Sequence, residues 1–166
     1  MATIVEKLDS VGGFSIDKTT VVDELRNGKD FNTLEIKNSE YSDSKTTTYI
    51  LRGLNTAVLQ LDTTGAQIPI DNNTINFITG HIVGVNPAGL VYVEKIESVA
   101  ISDGVGLVSI IGDLNTVVKD QIPNGQTWAV EPLGGTNRFS YSTTRAGTTN
   151  VIKWVASTNV VSIAWA

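Results

Sequence analysis

The chain has 166 residues, of which 41% are hydrophobic and only 17% charged, with a net charge of −5 and no cysteine. That length suits one domain with a real core. The excess of acids repels a phosphate backbone and excludes nucleic acid as the expected partner, while the lack of cysteine excludes disulfides, thiolate metal sites and cysteine nucleophiles.

The segment Met1, Ala2, Thr3, Ile4, Val5, Glu6, Lys7 places charges where a secretory peptide needs an apolar run. No stretch approaches ~18 apolar residues, so the chain reads as made in a cytoplasm, with no membrane partner. Charge divides it unevenly: residues 1–52 hold 9 acids and 7 bases, and the remaining 114 residues hold 8 and 5. Residues 1–45 are expected to form a charged N-terminal arm, and 46–166 a weakly charged β-rich domain faced with Thr, Ser, Asn and Gly.

In the arm, Ile4, Leu8 and Val11 fall at helical spacing before Gly12 and Gly13, too short a segment to be stable alone. The spacing predicts a short helix from Thr20 to Asn27, with Thr20 and Asp23 as a capping pair, Val21, Val22 and Leu25 as its stripe and Gly28 as its stop. Phe31 to Ile36 reads as a first strand, and Asn38 to Lys45 as a loop. Ile4, Val5, Leu8, Phe14 and Ile16 are the expected partner-binding residues, because they are interrupted by charge and glycine and cannot pack stably alone.

From Thr46 the strand signals repeat. Thr46 to Leu51 and Ala57 to Leu61 form an expected hairpin around Arg52, Gly53, Leu54 and Asn55. Thr74 to Val85 places Ile75, Phe77, His81, Val83 and Val85 on one face, with Gly80 and Gly84 on the other marking bends or close backbone approach. Leu90 to Ile101, Val105 to Ile111, Thr127 to Glu131, Arg138 to Ser142, Asn150 to Ala156 and Val160 to Trp165 come next. Roughly nine or ten short strands without βαβ alternation predict an all-β fold, an antiparallel β-sandwich, jelly roll or barrel-like domain.

Signals for chemistry are weak. His81 has no neighbouring His, Cys or paired carboxylate to make a metal site or a catalytic relay. Gly13, Phe14, Ser15, Ile16, Asp17 lack the closing glycine of a nucleophile elbow. Gly104, Val105, Gly106 and Gly134, Gly135 carry no P-loop lysine and read as turns. Asp71, Asn72 and Asn73 start a calcium-like cluster without the later glycine and glutamate. Glu94 and Glu97, three apart on a strand, point to opposite faces, and Asp103, Asp113 and Asp120 sit in expected turns. The sequence is thus expected to have no catalytic, metal or cofactor site and not to be an enzyme. Trp128, Phe139, Tyr141, Trp154 and Trp165 read as core, with a sugar-stacking or protein-contact face as the alternative.

The low-charge, Thr/Asn/Val-rich β domain behind a charged arm, and above all Thr143 to Trp154 followed by Val160 to Trp165, resembles the small virion structural proteins of tailed bacteriophages, especially cyanophages and other marine phages. The resemblance implies a non-enzymatic head decoration (cement) protein, a homo-oligomer in the virion whose arm grips the major capsid protein or other virion proteins. A tail-associated tube, adaptor or fibre protein, or a carbohydrate-binding module, is the alternative.

Overall fold

The computed structural model of the protein describes residues 14–16 and 19–22 as backbone and residues 33–165 in full. The chain divides into two compact units, Met1–Asn32 and Thr33–Ala166. In the first, β1 (Phe14–Ile16) and β2 (Thr19–Val22) form an antiparallel ladder. The helix expected from Thr20 to Asn27 is therefore corrected: Thr20 to Val22 is strand, and residues 23–27 lie outside the described residues. The physical reason is the run Thr19, Thr20, Val21, Val22, four β-branched residues whose stiff χ1 favours a pleated backbone and outweighs a capping pattern. Of the expected partner-binding residues, Phe14 and Ile16 fall in β1, while Ile4, Val5 and Leu8 lie outside the described residues.

The second unit is antiparallel, as expected. Its larger sheet has the spatial order β3 (Thr33–Lys37), β4 (Ser44–Leu54), β12 (Lys153–Ala164), β7 (Thr74–Val85), β8 (Val91–Ser102), β9 (Val108–Asp120). The smaller pairs β10 (Thr127–Gly135) with β11 (Arg138–Ala146), and the other side of β11 takes up the two-residue strands β5 (Ala57–Val58) and β6 (Ile68–Pro69).

Several strands run longer than their apolar stretches. The expected break between Ala156 and Val160 does not occur, because Ser157, Thr158 and Asn159 remain in the ladder between β4 and β7. Asn159 donates from Nδ2 to the hydroxyls of Thr46 and Thr48 at 3.1 and 3.3 Å. β4 likewise runs through Arg52 and Gly53 and turns only at Asn55, whose φ is 58°.

That turn is a hydrogen-bond node. The Asn55 carbonyl accepts from Trp154 Nε1 at 2.9 Å and from the Thr143 hydroxyl at 2.8 Å. Its side-chain Oδ1 accepts from the Ile152 amide at 3.0 Å and from Arg145 Nη1 at 3.1 Å. Arg145 also donates to the carbonyls of Thr149 and Asn150. The stretch from Thr143 to Trp154 is thereby fixed to the end of β4, which sets the positions of Arg52 and Lys153 at the surface.

Alternation along β4, β7, β8 and β12 buries one face of the larger sheet's central strands. Leu51, Ile78, Ile82, Ile96, Ala100 and Ala156 are fully buried there. The smaller sheet supplies Trp128, Phe139 and Tyr141 to the same core. The Trp154 ring meets those of Tyr92 and Trp128 edge-on, each at 6.1 Å, and Phe139 meets Tyr141 at 5.2 Å; such pairs add about 0.5–1.5 kcal/mol each beyond their burial. Four of the five late aromatics are therefore core, and Trp165 is 53% exposed. Gly80 and Gly84 are sites of close approach, since a Cβ there would overlap the Tyr141 hydroxyl and the Trp154 ring respectively.

Candidate functional site

Among the described residues the opposite face of the larger sheet is open, and the strand register organises it into rows. Ser44, Ile163, Ile75, Ile101 and Ser109 lie side by side across β4, β12, β7, β8 and β9, next to a row of Thr46, Val161, Phe77, Val99 and Gly112. This end is apolar, with Phe77, Val161 and Ile163 each about half exposed.

Toward the other end the same strands carry cations. One row reads Ile50, Ser157, His81, Lys95, Thr116, and the next reads Arg52, Val155, Val83, Val93, Lys119. Beyond it lie Leu54, Lys153, Val85 and Val91. Arg52, Lys95, Lys119 and Lys153 thus share one face, around a strip of valines. Among the residues on this face that the register places, Glu97 is the sole acid, and Lys95 Nζ neutralises it at 2.7 Å. The basic end of this face thus departs in sign from a chain whose net charge is −5.

The face is not flat at Arg52. A groove of about 240 Å³ is lined by Arg52, Val83, Val85, Lys153, Trp154 and Val155. Arg52 also lines a larger groove, of about 510 Å³, whose polar groups include Gln60, Asp62 and Thr63. Asp62 is committed to its own turn: its Oδ1 accepts from the Thr64 hydroxyl at 2.8 Å and from the amides of Thr64 and Ala66, bonds that hold the carboxyl below its usual range. The cations of the region are left to face solvent.

Several acid–base groups elsewhere have structural partners. Lys45 binds Asp71 at 2.9 Å and Glu35 at 3.5 Å, and the Asp71 contact raises its pKa against the lowering effect of burial. Asn72 donates to the Gly104 carbonyl, and Asn73 holds a φ of 55° in the turn before β7. The triplet Asp71, Asn72, Asn73 is thus a fastening between turns. Among the described residues no three His, Cys, Asp or Glu side chains are grouped as a metal site would need. Asp103 and Asp120 accept backbone amides of their own turns, as their positions in the sequence imply.

Glu94 and Glu97 do point to opposite faces, but the burial of Glu94 was not anticipated from the sequence. Glu94 is only 4% exposed, inside the core, where Tyr92 donates its hydroxyl to Oε2 at 3.0 Å. Burial pushes the Glu94 carboxyl up, and burial followed by the Glu94 charge pushes the Tyr92 hydroxyl up. A carboxyl this enclosed does not reach a polymeric substrate. The signal for it was its parity with Tyr92 and Ile96 on β8. His81 lies on the open face between Ser157 and Lys95. The cationic face was also missed, because it depends on which strands become neighbours, and Arg52 and Lys119 are 67 positions apart in the sequence.

No family model matches the chain, and no curated protein matches it. Among solved structures it is similar to the tailspike protein gp49 of Acinetobacter baumannii bacteriophage Fri1, a capsular polysaccharide depolymerase, at 16% identity and a TM-score of 0.50 over 90% of this chain. This chain spans 22% of the length of that protein. A tailspike protein of Acinetobacter baumannii phage AM24 matches at 10% identity and a TM-score of 0.31, over 72% of this chain and 26% of that one. The first likeness is one of fold. It also corrects the expectation that the chain is not an enzyme, since a fold like this one occurs within a tailspike that is a capsular polysaccharide depolymerase.

Proposed function

We propose that the chain is a module of a tail-associated bacteriophage virion protein of the tailspike kind, which meets polysaccharide on the host surface. The observation that carries this reading is the likeness in fold, over 90% of the chain, to a tailspike depolymerase. It favours the tail over the capsid shell that the general style of the sequence suggests. The two sheets sharing one core support classing the second unit as a β-sandwich. Because the chain corresponds to only part of that tailspike, cleavage of the glycan belongs to the test. The reading keeps self-association and also attachment through the N-terminal segment, the latter supported by the division of the chain at residues 32 and 33.

Gold-labelled antibodies against residues 33–166 should decorate the tails of purified virions in few copies. Label spread densely over the heads would overturn the tail assignment. The purified chain, mixed with host capsular polysaccharide, should cosediment with it, and release of reducing ends would place cleavage in the chain itself. No retention on host polysaccharide would overturn the glycan reading.

A further inference from the structure

We infer that the basic end of the open sheet face is a binding site for an acidic polysaccharide, one whose sugars carry carboxylates. The inference rests on the polysaccharide reading above and adds the chemical class of the ligand.

Three observations converge on it. The first is charge sorting. Arg52, Lys95, Lys119 and Lys153 lie on one face of a net acidic chain, and the one acid that the register places among them, Glu97, is already paired with Lys95. The ion pairs found among the described residues involve Lys45 and Lys95, so Arg52, Lys119 and Lys153 have no carboxylate within 4.0 Å there. A local positive field in such a chain draws anions from within about a Debye length, ~8–10 Å at moderate salt.

The second is spacing. Arg52 and Lys119 end a row that crosses five strands, separated by Val155, Val83 and Val93. At ~4.8 Å per strand this row is roughly 19 Å long, which fits several linked sugars better than one.

The third is the floor. A pyranose offers C–H faces to an apolar surface and its hydroxyl and carboxyl groups around the rim. Valines with cations at the margin match that arrangement, and the groove at Arg52 and Lys153 supplies depth. Arg52 can take a carboxylate with two parallel N–H donors, which a lysine cannot.

Nucleic acid is the competing polyanion. Four lysines and arginines are few for a phosphate backbone, whose binders neutralise roughly 6–10 phosphates. The residues in the two basic rows include no aromatic side chain beyond the His81 imidazole on which bases could stack.

The test is titration of the full chain, by calorimetry, with three probes: oligogalacturonate, a neutral dextran oligomer of equal length, and single-stranded DNA of equal charge. Oligogalacturonate should bind, weaken about tenfold or more between 50 and 300 mM salt as for a polyanion held by several cations, and bind about tenfold more weakly to Arg52→Ala/Lys153→Ala. Lys37→Ala, a lysine on β3 away from this face, should leave binding unchanged. The melting temperature of each variant confirms that it folds. Equal binding of dextran, unaffected by the double substitution, would overturn the inference and leave the polysaccharide reading standing. DNA binding tighter than oligogalacturonate and lost in the same variant would make the face a nucleic-acid site and overturn it too. Failure of oligogalacturonate to bind at low salt would refute it, while virion labelling and capsule cosedimentation would still decide the broader reading.

Discussion

Along β7, Ile78 and Ile82 are fully buried, while their neighbours Phe77, His81 and Val83 face the other way and keep contact with solvent. The same contrast runs through β4, β8 and β12. On the inner face each side chain is chosen by what lies opposite, down to the absence of a Cβ at Gly80. On the outer face no layer among the described residues constrains size, and the sorting is by charge, apolar at one end and basic at the other. Packing thus accounts for one face, and the other is where recognition can be written at little cost in stability.

The comparison is most easily broken at Gly80. A side chain there overlaps the Tyr141 hydroxyl, and Tyr141 is itself fully buried, with its own pKa pushed up to about 12 by that burial. Gly80→Val should destabilise by about 3 kcal/mol, since overpacked cores lose roughly 1–3 and sometimes more. Denaturant unfolding measures this, and a loss under about 1 kcal/mol would mean that the two sheets are less closely apposed than the inner face implies.

Next in size is a pair of truncations on adjacent residues. Ile82→Ala removes a fully buried side chain and should cost about 2–5 kcal/mol. Val83→Ala, one position along on the outer face, should cost under about 1 kcal/mol. Similar losses at both positions would show that the outer face is covered by another part of the protein.

Glu94→Gln sharpens the comparison from the opposite direction, because here the inner face carries a group that burial penalises. The Glu94 carboxyl is raised by desolvation, against the opposing bond from Tyr92. Its folded pKa lies above its unfolded one, so between the two the folded state holds more protons. Stability therefore falls as pH rises through that window, and the penalty is fully present above it. Glutamine keeps an acceptor for Tyr92 and carries no charge. Thermal melts should show Glu94→Gln more stable than the parent at pH 7, with the gain shrinking as pH falls through the raised Glu94 value toward the ordinary carboxylate range and lost below it. A gain independent of pH, or a loss at pH 7, would mean that Glu94 is held by partners beyond Tyr92.

Legibility in the sequence divides along the same line. Period-two alternation in Thr74 to Val85 placed Ile75, Phe77, His81, Val83 and Val85 together on their observed face, because burial on one side leaves that pattern in the sequence. Gly80 and Gly84 on the inner side were readable as close approaches for the same reason. Polar interruptions misled: Ser157, Thr158 and Asn159 separate two expected strands, yet hydrogen bonds from Asn159 to β4 and from Thr158 to Tyr141 carry one strand through them. The capping pattern at Thr20 and Asp23 yielded to a run of β-branched residues. The cationic face left no local trace, since Arg52, Lys95, Lys119 and Lys153 come together only through the order β4, β12, β7, β8, β9.

The smallest expected effect is at His81, where the sequence predicts a dispensable side chain. Its neighbours across the sheet are Ser157 and Lys95, and it stands exposed on the open face. Replacing it with alanine gives up a little strand propensity, worth about a few tenths of a kcal/mol, and buries nothing new. In a domain of this size that shifts the melting temperature by about a degree or two at most. His81→Ala should also leave oligogalacturonate binding within about twofold, because the row that holds Arg52 and Lys119 does not include it. If the substitution instead lowers stability by more than about 1 kcal/mol, the imidazole has a partner and the outer face is not open at that point. If stability is unchanged but binding drops about tenfold, the ligand touches the imidazole itself, beside Lys95 in the second basic row.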